Sequence, residues 1–141
     1  MLKNIPKNLS PELLKILMEM GHGDEIVLAD GNFPSESNAK RIIRADGLDV
    51  PPLLESILQL FPLDTYVDYP VTLMDVVPGD DFVPAIWDEY KRIIARFDPK
   101  AKVAAIGRFE FYERAKNAYA IVATTEAALY ANLILCKGVV V

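Results

Sequence analysis

Apolar residues recur along the chain with two different spacings, one typical of helices and one typical of buried strands. Repeats of three and four residues predict amphipathic helices, and a further short helix is predicted for RFEFYERAKNA. Ser10 and Pro11 suit the N-cap and the first turn of the first helix, and Gly21 is expected to end it. The predicted helices cover residues 11–20, 51–61, 82–97 and 108–118.

Short apolar runs between the helices predict strands. Six segments have this character, namely EIVLAD, KRIIRAD, YPVTLMDVV, KVAAIG, YAIVATT and NLILCKG, at residues 25–30, 40–46, 69–77, 102–107, 119–125 and 132–138. Because these strands alternate with the helices, we expect one α/β domain over residues 1–141, in which helices cover the faces of a central sheet.

Composition and charge narrow the functional classes. Apolar residues make up 52% of the chain and charged residues 25%, as in an ordinary globular domain. The net charge of −5 argues against nucleic acid as a partner, because phosphate binding needs a basic surface. No apolar run approaches the roughly 20 residues that a membrane helix needs. The single cysteine, Cys136, forms no intrachain disulfide or metal cluster, which fits the reducing cytoplasm.

His22, the only histidine of the chain, lies between Gly21 and Gly23, where a helix pattern ends and a strand pattern begins. A histidine after the carboxyl end of a helix meets the negative end of the helix dipole, which favours the protonated imidazolium. A protonated imidazole is a suitable general acid near neutral pH. The alternative, from position alone, is a loop histidine without a function.

Asp30 directly follows the core of the first predicted strand. In open α/β sheets, ligands bind outside the carboxyl ends of the strands. A carboxylate there can accept hydrogen bonds from ligand hydroxyl groups or orient a histidine. An ordinary Asp-Gly turn explains the residue equally well. The following GNFPSES segment has too few glycines for a phosphate-binding loop, so no nucleotide site is expected.

Arg108 and Tyr112 are one helical turn apart, so both side chains can face the same spot. An arginine beside a tyrosine suits a ligand with several hydroxyl groups, because both side chains offer hydrogen bonds. The alternative is a surface pair of Arg108 with Glu113 and burial of the aromatic residues between them. Tyr130 and Asn132 form a second polar pair before the last strand, although ordinary packing also accounts for them.

Metal and covalent chemistry have little support in the sequence. A single histidine without neighbouring cysteines or paired acids forms no convincing metal shell. No serine lies in a G-x-S-x-G nucleophile elbow. We therefore expect neither a metal nor another cofactor. The residues alone indicate an α/β domain with a polar pocket around His22.

Several longer segments carry a resemblance that extends almost from end to end. They are SPELLKILMEMGHGDEIVLADGNFP, IRADGL, LFPLDTY, RFEFYERAKNAYAIVATTE and ALYANLILCKGV. Together they resemble the family of small sugar mutarotases that includes L-fucose mutarotase and D-ribose pyranase. MGHGDEI is shared across that family, whereas RFEFYERA and IRADG are more similar to its fucose branch.

The resemblance implies an isomerase that interconverts the α and β anomers of L-fucopyranose by acid–base opening and closure of the ring. Such an enzyme needs a monosaccharide substrate and no cofactor. The alternatives are a D-ribose pyranase, a mutarotase for another monosaccharide, and a sugar-binding module without turnover.

The same resemblance implies roles for individual residues. His22 matches the family's proton donor. The substrate-binding positions are matched by Asp30, Arg108, Tyr112, Tyr130, Asn132 and, in PLDTY, Asp64. Ala131 departs from the fucose branch, which usually has glycine there, and a left-handed backbone at this position would make the added methyl group costly. The resemblance does not identify the general base, for which a bound water is a candidate.

The resemblance also implies a three-layer α/β/α sandwich with a central, mostly parallel sheet of about six strands. Domains of that family assemble into homo-oligomeric rings, often decamers, in which neighbouring subunits share the pockets that bind the monosaccharide. Composition and spacing carry no information about assembly, so the decameric ring rests on the resemblance alone.

Overall fold

Helices and strands alternate along the whole chain, which a computed structural model describes from Met1 to Val141. The strands are β1 (Glu25–Ala29), β2 (Ile42–Ala45), β3 (Val71–Met74), β4 (Val103–Ile106), β5 (Ala120–Thr124) and β6 (Leu133–Cys136). The helices are α1 (Pro11–Glu19), α2 (Ser35–Asn38), α3 (Val50–Leu58), α4 (Ala85–Phe97) and α5 (Arg108–Asn117). Every predicted strand and helix is present, and α2 is a short addition that no apolar spacing indicated.

All six strands form one sheet in the order β2-β5-β1-β6-β3-β4. Five of them run in the same direction, whereas β6 is antiparallel to both of its neighbours, β1 and β3. A parallel crossover needs a connection of about a dozen residues or more. Residues 125–132, which join β5 to β6, are too few for one, so the chain returns in the opposite direction. The mostly parallel sheet is therefore confirmed.

The two faces of the sheet carry hydrophobic cores of unequal size. α1, α3 and α4 cover one face, where 24 buried residues form the larger core, among them Leu13, Leu53 and Tyr90. α5 and the segment that contains α2 cover the other face, where 8 buried residues include Phe33 and Phe111. Successive residues of β1 alternate between the two cores. This arrangement confirms the three-layer α/β/α sandwich.

The start of α1 follows the prediction, but its end differs. Ser10 Oγ accepts the N–H of Leu13 at 3.1 Å, as an N-cap does. The helix ends at Glu19, so Gly21 lies beyond its cap. Lys137 Nζ donates to the carbonyl oxygen of Leu17 at 2.7 Å. The cation at the negative end of this helix is therefore a lysine rather than the histidine that the sequence suggested.

Two other helix boundaries differ from the prediction by three residues each, and a proline explains each of these two differences. α4 begins at Ala85 rather than at 82, with Pro84 as its N-cap, because a proline disfavours helical geometry in the preceding residue. α3 ends at Leu58 rather than at 61, and Pro62 has the same effect on Phe61. None of the five helices combines the length and apolarity that crossing a membrane requires.

Candidate active site

The predicted site residues divide into two groups at opposite ends of β1. His22 precedes this strand and Asp30 follows it. Asn132 bonds to Asp30 where β6 begins, and Asp64 contacts His22 where β6 ends. The five residues of β1 span roughly 16 Å. The two groups are separated by about this length within one chain, so they do not form a single pocket.

Asp30 and Asn132 form a reciprocal pair at the carboxyl end of β1. The N–H of Asp30 donates to Asn132 Oδ1 at 2.7 Å, and Asn132 Nδ2 donates to Asp30 Oδ2 at 3.0 Å. The other carboxylate oxygen accepts the N–H of Asn32 at 3.0 Å. Burial raises the pKa of Asp30, and these hydrogen bonds act in the opposite direction. Asp30 borders a cavity of about 260 Å³ that is also lined by Ser35 and Arg44 and by none of the other candidate residues.

Arg108 and Tyr112 meet on the first turn of α5, as their spacing predicted. Arg108 Nε donates to the Tyr112 hydroxyl at 3.1 Å, and the guanidinium carbon lies 5.4 Å from the Tyr112 ring centre. Glu113, the alternative partner, binds Lys116 instead. Tyr112 packs edge-on against Phe33, whereas Arg108 is exposed. The bond to Tyr112 therefore holds Arg108 at Nε, while the terminal N–H groups of the guanidinium are directed outward.

The backbone at Tyr130 adopts an unusual conformation at the start of β6. Its φ of 57° lies in the left-handed region, which non-glycine residues seldom occupy. The Trp87 indole N–H donates to the Tyr130 carbonyl at 2.8 Å, and the Tyr90 hydroxyl donates to the Ala131 carbonyl at 2.7 Å. Ala131 is fully buried, and its φ lies outside the left-handed region. The left-handed backbone that would make an alanine costly therefore lies at Tyr130 and not at position 131, so Ala131 is accommodated without strain.

Asp80 contacts the site, although no sequence pattern pointed to it. The Tyr130 hydroxyl donates to Asp80 Oδ2 at 2.5 Å, and Asp80 Oδ1 accepts the N–H of Phe82 at 2.9 Å. The donated hydroxyl lowers the pKa of Asp80, and the same contact raises the pKa of Tyr130. Asp80 follows Pro78 and Gly79, which come directly after the predicted strand 69–77.

His22 pairs with a buried carboxylate at the other end of β1. His22 Nε2 lies 3.0 Å from Asp64 Oδ1, and the two side chains are 44% and 3% exposed. The N–H of Tyr66 donates to the same oxygen at 3.0 Å, and the Tyr66 ring centre lies 5.2 Å from the imidazole. The bond from Tyr66, followed by the contact with His22, lowers the pKa of Asp64 although burial opposes the shift. An ionised Asp64 holds Nε2 as a proton-bearing nitrogen and leaves Nδ1 for a ligand.

A four-residue turn presents His22 at its corner. The N–H of Asp24 donates to the Gly21 carbonyl at 3.2 Å, and the N–H of Gly21 donates to Asp24 Oδ2 at 2.8 Å. Gly23, at the third position of the turn, has a φ of 85°, as in a type II turn, and this left-handed backbone favours glycine. Its N–H donates to the carbonyl of Lys137 at 2.8 Å. The two glycines that flank the histidine therefore have different roles, and only the second has a left-handed backbone.

Neither group of residues resembles a metal site, because no three His, Cys, Asp or Glu side chains are placed to hold an ion.

Cys136 Sγ lies 3.8 Å from Asp64 Oδ2. Burial raises the pKa of this thiol to about 11, so it stays neutral at pH 7 and is a poor nucleophile. A larger groove of about 660 Å³ between α3 and α4 contains none of the candidate residues. The two groups suit proton transfer at one end of β1 and the binding of hydroxyl groups at the other.

Sequence comparison finds relatives over almost the whole chain. The sequence profile of the RbsD / FucU transport protein family matches residues 3–140. The fucose mutarotase of Mus musculus is 56% identical over 143 residues, which cover 97% of this chain and 94% of the mouse protein.

Solved structures have the same architecture. The crystal structure of the fucose mutarotase from Streptococcus pneumoniae in complex with L-fucose matches with a TM-score of 0.94 and 60% identity, over 99% of this chain and 100% of that one. FucU from Bifidobacterium longum matches with a TM-score of 0.96 and 54% identity, over 99% and 100% of the two chains. Both similarities include the two ends of β1 at which the candidate residues lie.

Proposed function

Because this chain belongs to the RbsD / FucU transport protein family, we propose that it is an L-fucose mutarotase. It is an isomerase that interconverts the α and β anomers of L-fucopyranose. The observation that carries this conclusion is the match over 99% of the chain, at 60% identity, to a fucose mutarotase in complex with L-fucose.

Exchange of anomers needs two proton transfers. An acid protonates the ring oxygen while a base takes the proton of the anomeric hydroxyl, so that the bond between C1 and the ring oxygen breaks and an aldehyde forms. The aldehyde turns, and the ring closes on its other face by the reverse transfers. One positioned acid or base accelerates such a step by roughly 10²–10⁴-fold.

His22 is the acid in this proposal. Its Nε2 faces the Asp64 carboxylate at 3.0 Å, so the protonated imidazole gives the proton of Nδ1 to the ring oxygen. Asp64, first expected to bind the sugar, then orients the histidine instead. Its side chain is 3% exposed, and Oδ1 accepts the N–H of Tyr66 as well as His22.

The residues at the carboxyl end of β1 bind the sugar. Asp30 accepts hydrogen bonds from sugar hydroxyl groups at the edge of its cavity. The exposed guanidinium of Arg108 donates to sugar oxygens. Tyr112, Tyr130 and Asn132 line the same end, where Asn132 also holds Asp30 in place.

Two subunits complete each pocket in this proposal. His22 and Asp30 lie at opposite ends of β1 within one chain, so a sugar that touches both residues must lie between two copies. A contact between the front of one subunit and the back of the next is heterologous, and a closed series of such contacts forms a ring. The proposed function therefore includes a homo-oligomeric ring, and the family resemblance implies that this ring is a decamer.

We also propose a cytoplasmic location for the enzyme. Its one cysteine, Cys136, is a free thiol in the buried part of β6, which suits a reducing compartment.

Magnetisation-transfer NMR tests the activity directly, because it measures exchange between the α and β anomers of a sugar at equilibrium. We expect the wild-type protein to accelerate exchange of L-fucose more than that of D-ribose. His22→Ala should keep the circular dichroism of the wild type and lose at least about 10²-fold in exchange rate, since it removes the acid.

Each alternative function gives a different result in this assay. A pyranase would act on D-ribose in preference to L-fucose, and a binding module would shift sugar signals without faster exchange. A His22→Ala variant that exchanges L-fucose anomers at the wild-type rate would refute the assigned acid.

A further inference from the structure

The hydroxyl group of Tyr130 acts as a hydrogen-bond donor within the protein. It donates to Asp80 Oδ2 at 2.5 Å. Since the only hydroxyl proton points at Asp80, the lone pairs of the Tyr130 oxygen remain as acceptors. A sugar hydroxyl that meets this oxygen must therefore donate to it.

Both partners of this contact are held in place by the surrounding fold. The left-handed backbone of Tyr130 is fixed by the bond from Trp87 to its carbonyl oxygen at 2.8 Å. Asp80 Oδ1 accepts the N–H of Phe82 at 2.9 Å, and the Phe82 ring lies 5.9 Å from the ring of Tyr130. A strained backbone that its surroundings maintain is typical of functional sites.

The contact lies at the sugar-binding end of β1. Asn132, two residues after Tyr130, bonds to Asp30. The bond to Asp80 raises the pKa of Tyr130, and the positive charge of Arg108 acts in the opposite direction. The segment that carries Asp80 leaves the sheet at the end of β3, next to the start of β6.

We propose that Tyr130 and Asp80 together accept the proton that leaves the anomeric hydroxyl of the sugar. This assignment rests on the proposed mutarotase activity and supplies the base that the activity needs. As the anomeric oxygen forms its double bond to C1, its proton passes to the Tyr130 oxygen, and the Tyr130 proton passes to Asp80 Oδ2. The bond between C1 and the ring oxygen breaks, and the ring oxygen takes the proton of His22. Ring closure on the other face returns both protons.

The two other carboxylates among the candidate residues are less suited to this role. Asp30 already accepts bonds from Asn32 and Asn132, and Asp64 lies at the His22 end of β1. Tyr130 touches substrate in this scheme, whereas Asp80 acts through Tyr130 and is a positioning and relay residue.

The test compares Asp80→Asn, Tyr130→Phe and the double variant in the anomer-exchange assay with L-fucose. Asparagine at position 80 keeps an oxygen for the N–H of Phe82, so it removes the charge and spares the turn. We expect each single variant to lower kcat by about 10²-fold and to change KM by less than about threefold. The double variant should be no slower than the slower single variant, because both act on one proton path. Asp80→Glu should recover part of kcat.

Asp81→Asn is the matched control, since Asp81 is the adjacent exposed carboxylate. It should exchange L-fucose anomers as the wild type does. A wild-type kcat in Asp80→Asn, losses that multiply in the double variant, or a loss confined to KM would each overturn the relay. Absence of exchange in the wild-type protein would instead refute the mutarotase activity, so the two failures are distinguishable.

Discussion

The imidazole of His22 is oriented by a carboxylate that lies 42 positions further along the chain. Asp64 Oδ1 accepts hydrogen bonds from both His22 and the N–H of Tyr66. A buried carboxylate that holds one ring nitrogen sets both the tautomer and the direction of an imidazole. Removal of its charge should therefore alter His22 without removing the acid itself.

We expect Asp64→Asn to lower kcat for anomer exchange by roughly tenfold and to leave KM for L-fucose nearly unchanged. The amide has almost the same volume and can still accept the N–H of Tyr66, so the fold should persist. Nitrogen chemical shifts of labelled histidine report the tautomer without ambiguity, because His22 is the only histidine. They should show that Nε2 no longer carries the proton preferentially.

Asp68→Asn provides the control, because Asp68 is an exposed carboxylate of the same loop. It should leave both kcat and the His22 shifts at wild-type values. If Asp64→Asn also leaves the His22 shifts unchanged, Asp64 does not orient the ring, whatever happens to the rate.

Single-residue chemistry could be predicted from the sequence only where the partners are close in the chain. Arg108 and Tyr112 are four residues apart, and their helical spacing correctly predicted the contact between them. Lys137, which takes the expected place of His22 at the end of α1, is far away in sequence. The same holds for Asp80 and Tyr130, which no local pattern connects. Contacts between residues that only the tertiary fold brings together could not be predicted from the sequence.

At the scale of elements, the turn between α1 and β1 determines how His22, the proposed acid, is presented. Gly23 needs its left-handed backbone for this turn, and a Cβ atom there would meet no other atom within 4 Å. A substitution at Gly23 therefore tests backbone conformation alone. Gly21 has no such requirement, and a Cβ there would make an ordinary contact at 3.7 Å.

We expect Gly23→Ala to lower the free energy of unfolding by about 1–2 kcal/mol per chain, since L-residues resist the left-handed region. It should also reduce kcat, because the turn that carries His22 must shift. Gly23→Asn should be milder, as asparagine tolerates this conformation better. Gly21→Ala is the control and should stay within about 0.5 kcal/mol of wild type. Denaturant unfolding and the exchange assay measure both effects, and equal losses at the two glycines would contradict the turn geometry.

Hydrophobic spacing predicted the elements themselves well, and their ends and directions less well. Alternation of strands and helices was enough to predict a central sheet with helices on its faces, whereas the three-layer α/β/α sandwich was predicted from the resemblance. The direction of β6 depends on the short connection 125–132 rather than on the strand's own residues. α2 is too short for a period to be visible, with only four residues. Boundaries shifted where Pro62 and Pro84 act on the residues before them.

At the scale of the whole molecule, the proposed site residues of each chain fall into two separate halves, one at each end of β1. Large side chains are exposed beside both halves, Tyr66 near His22 and Phe109 beside Arg108. Tyr66 is 77% and Phe109 is 74% exposed, and in the proposed ring the neighbouring subunits cover these two rings. The residues alone predicted one polar pocket around His22, whereas the length of β1 separates His22 from Asp30 in the folded chain. Head-to-tail packing of copies would cover both surfaces and complete the site.

Mixed assemblies test whether neighbouring subunits share the pocket. His22→Ala and Arg108→Ala should each be nearly inactive alone. When the two variants are co-expressed in equal amounts, about a quarter of shared pockets combine an intact His22 from one chain with an intact Arg108 from the next. Exchange of L-fucose anomers should therefore return to about a quarter of the wild-type rate. Pockets contained in single chains would show no recovery. As a second measure, wild type mixed equally with the double variant should keep about a quarter of the activity if pockets are shared, and about half if they are not.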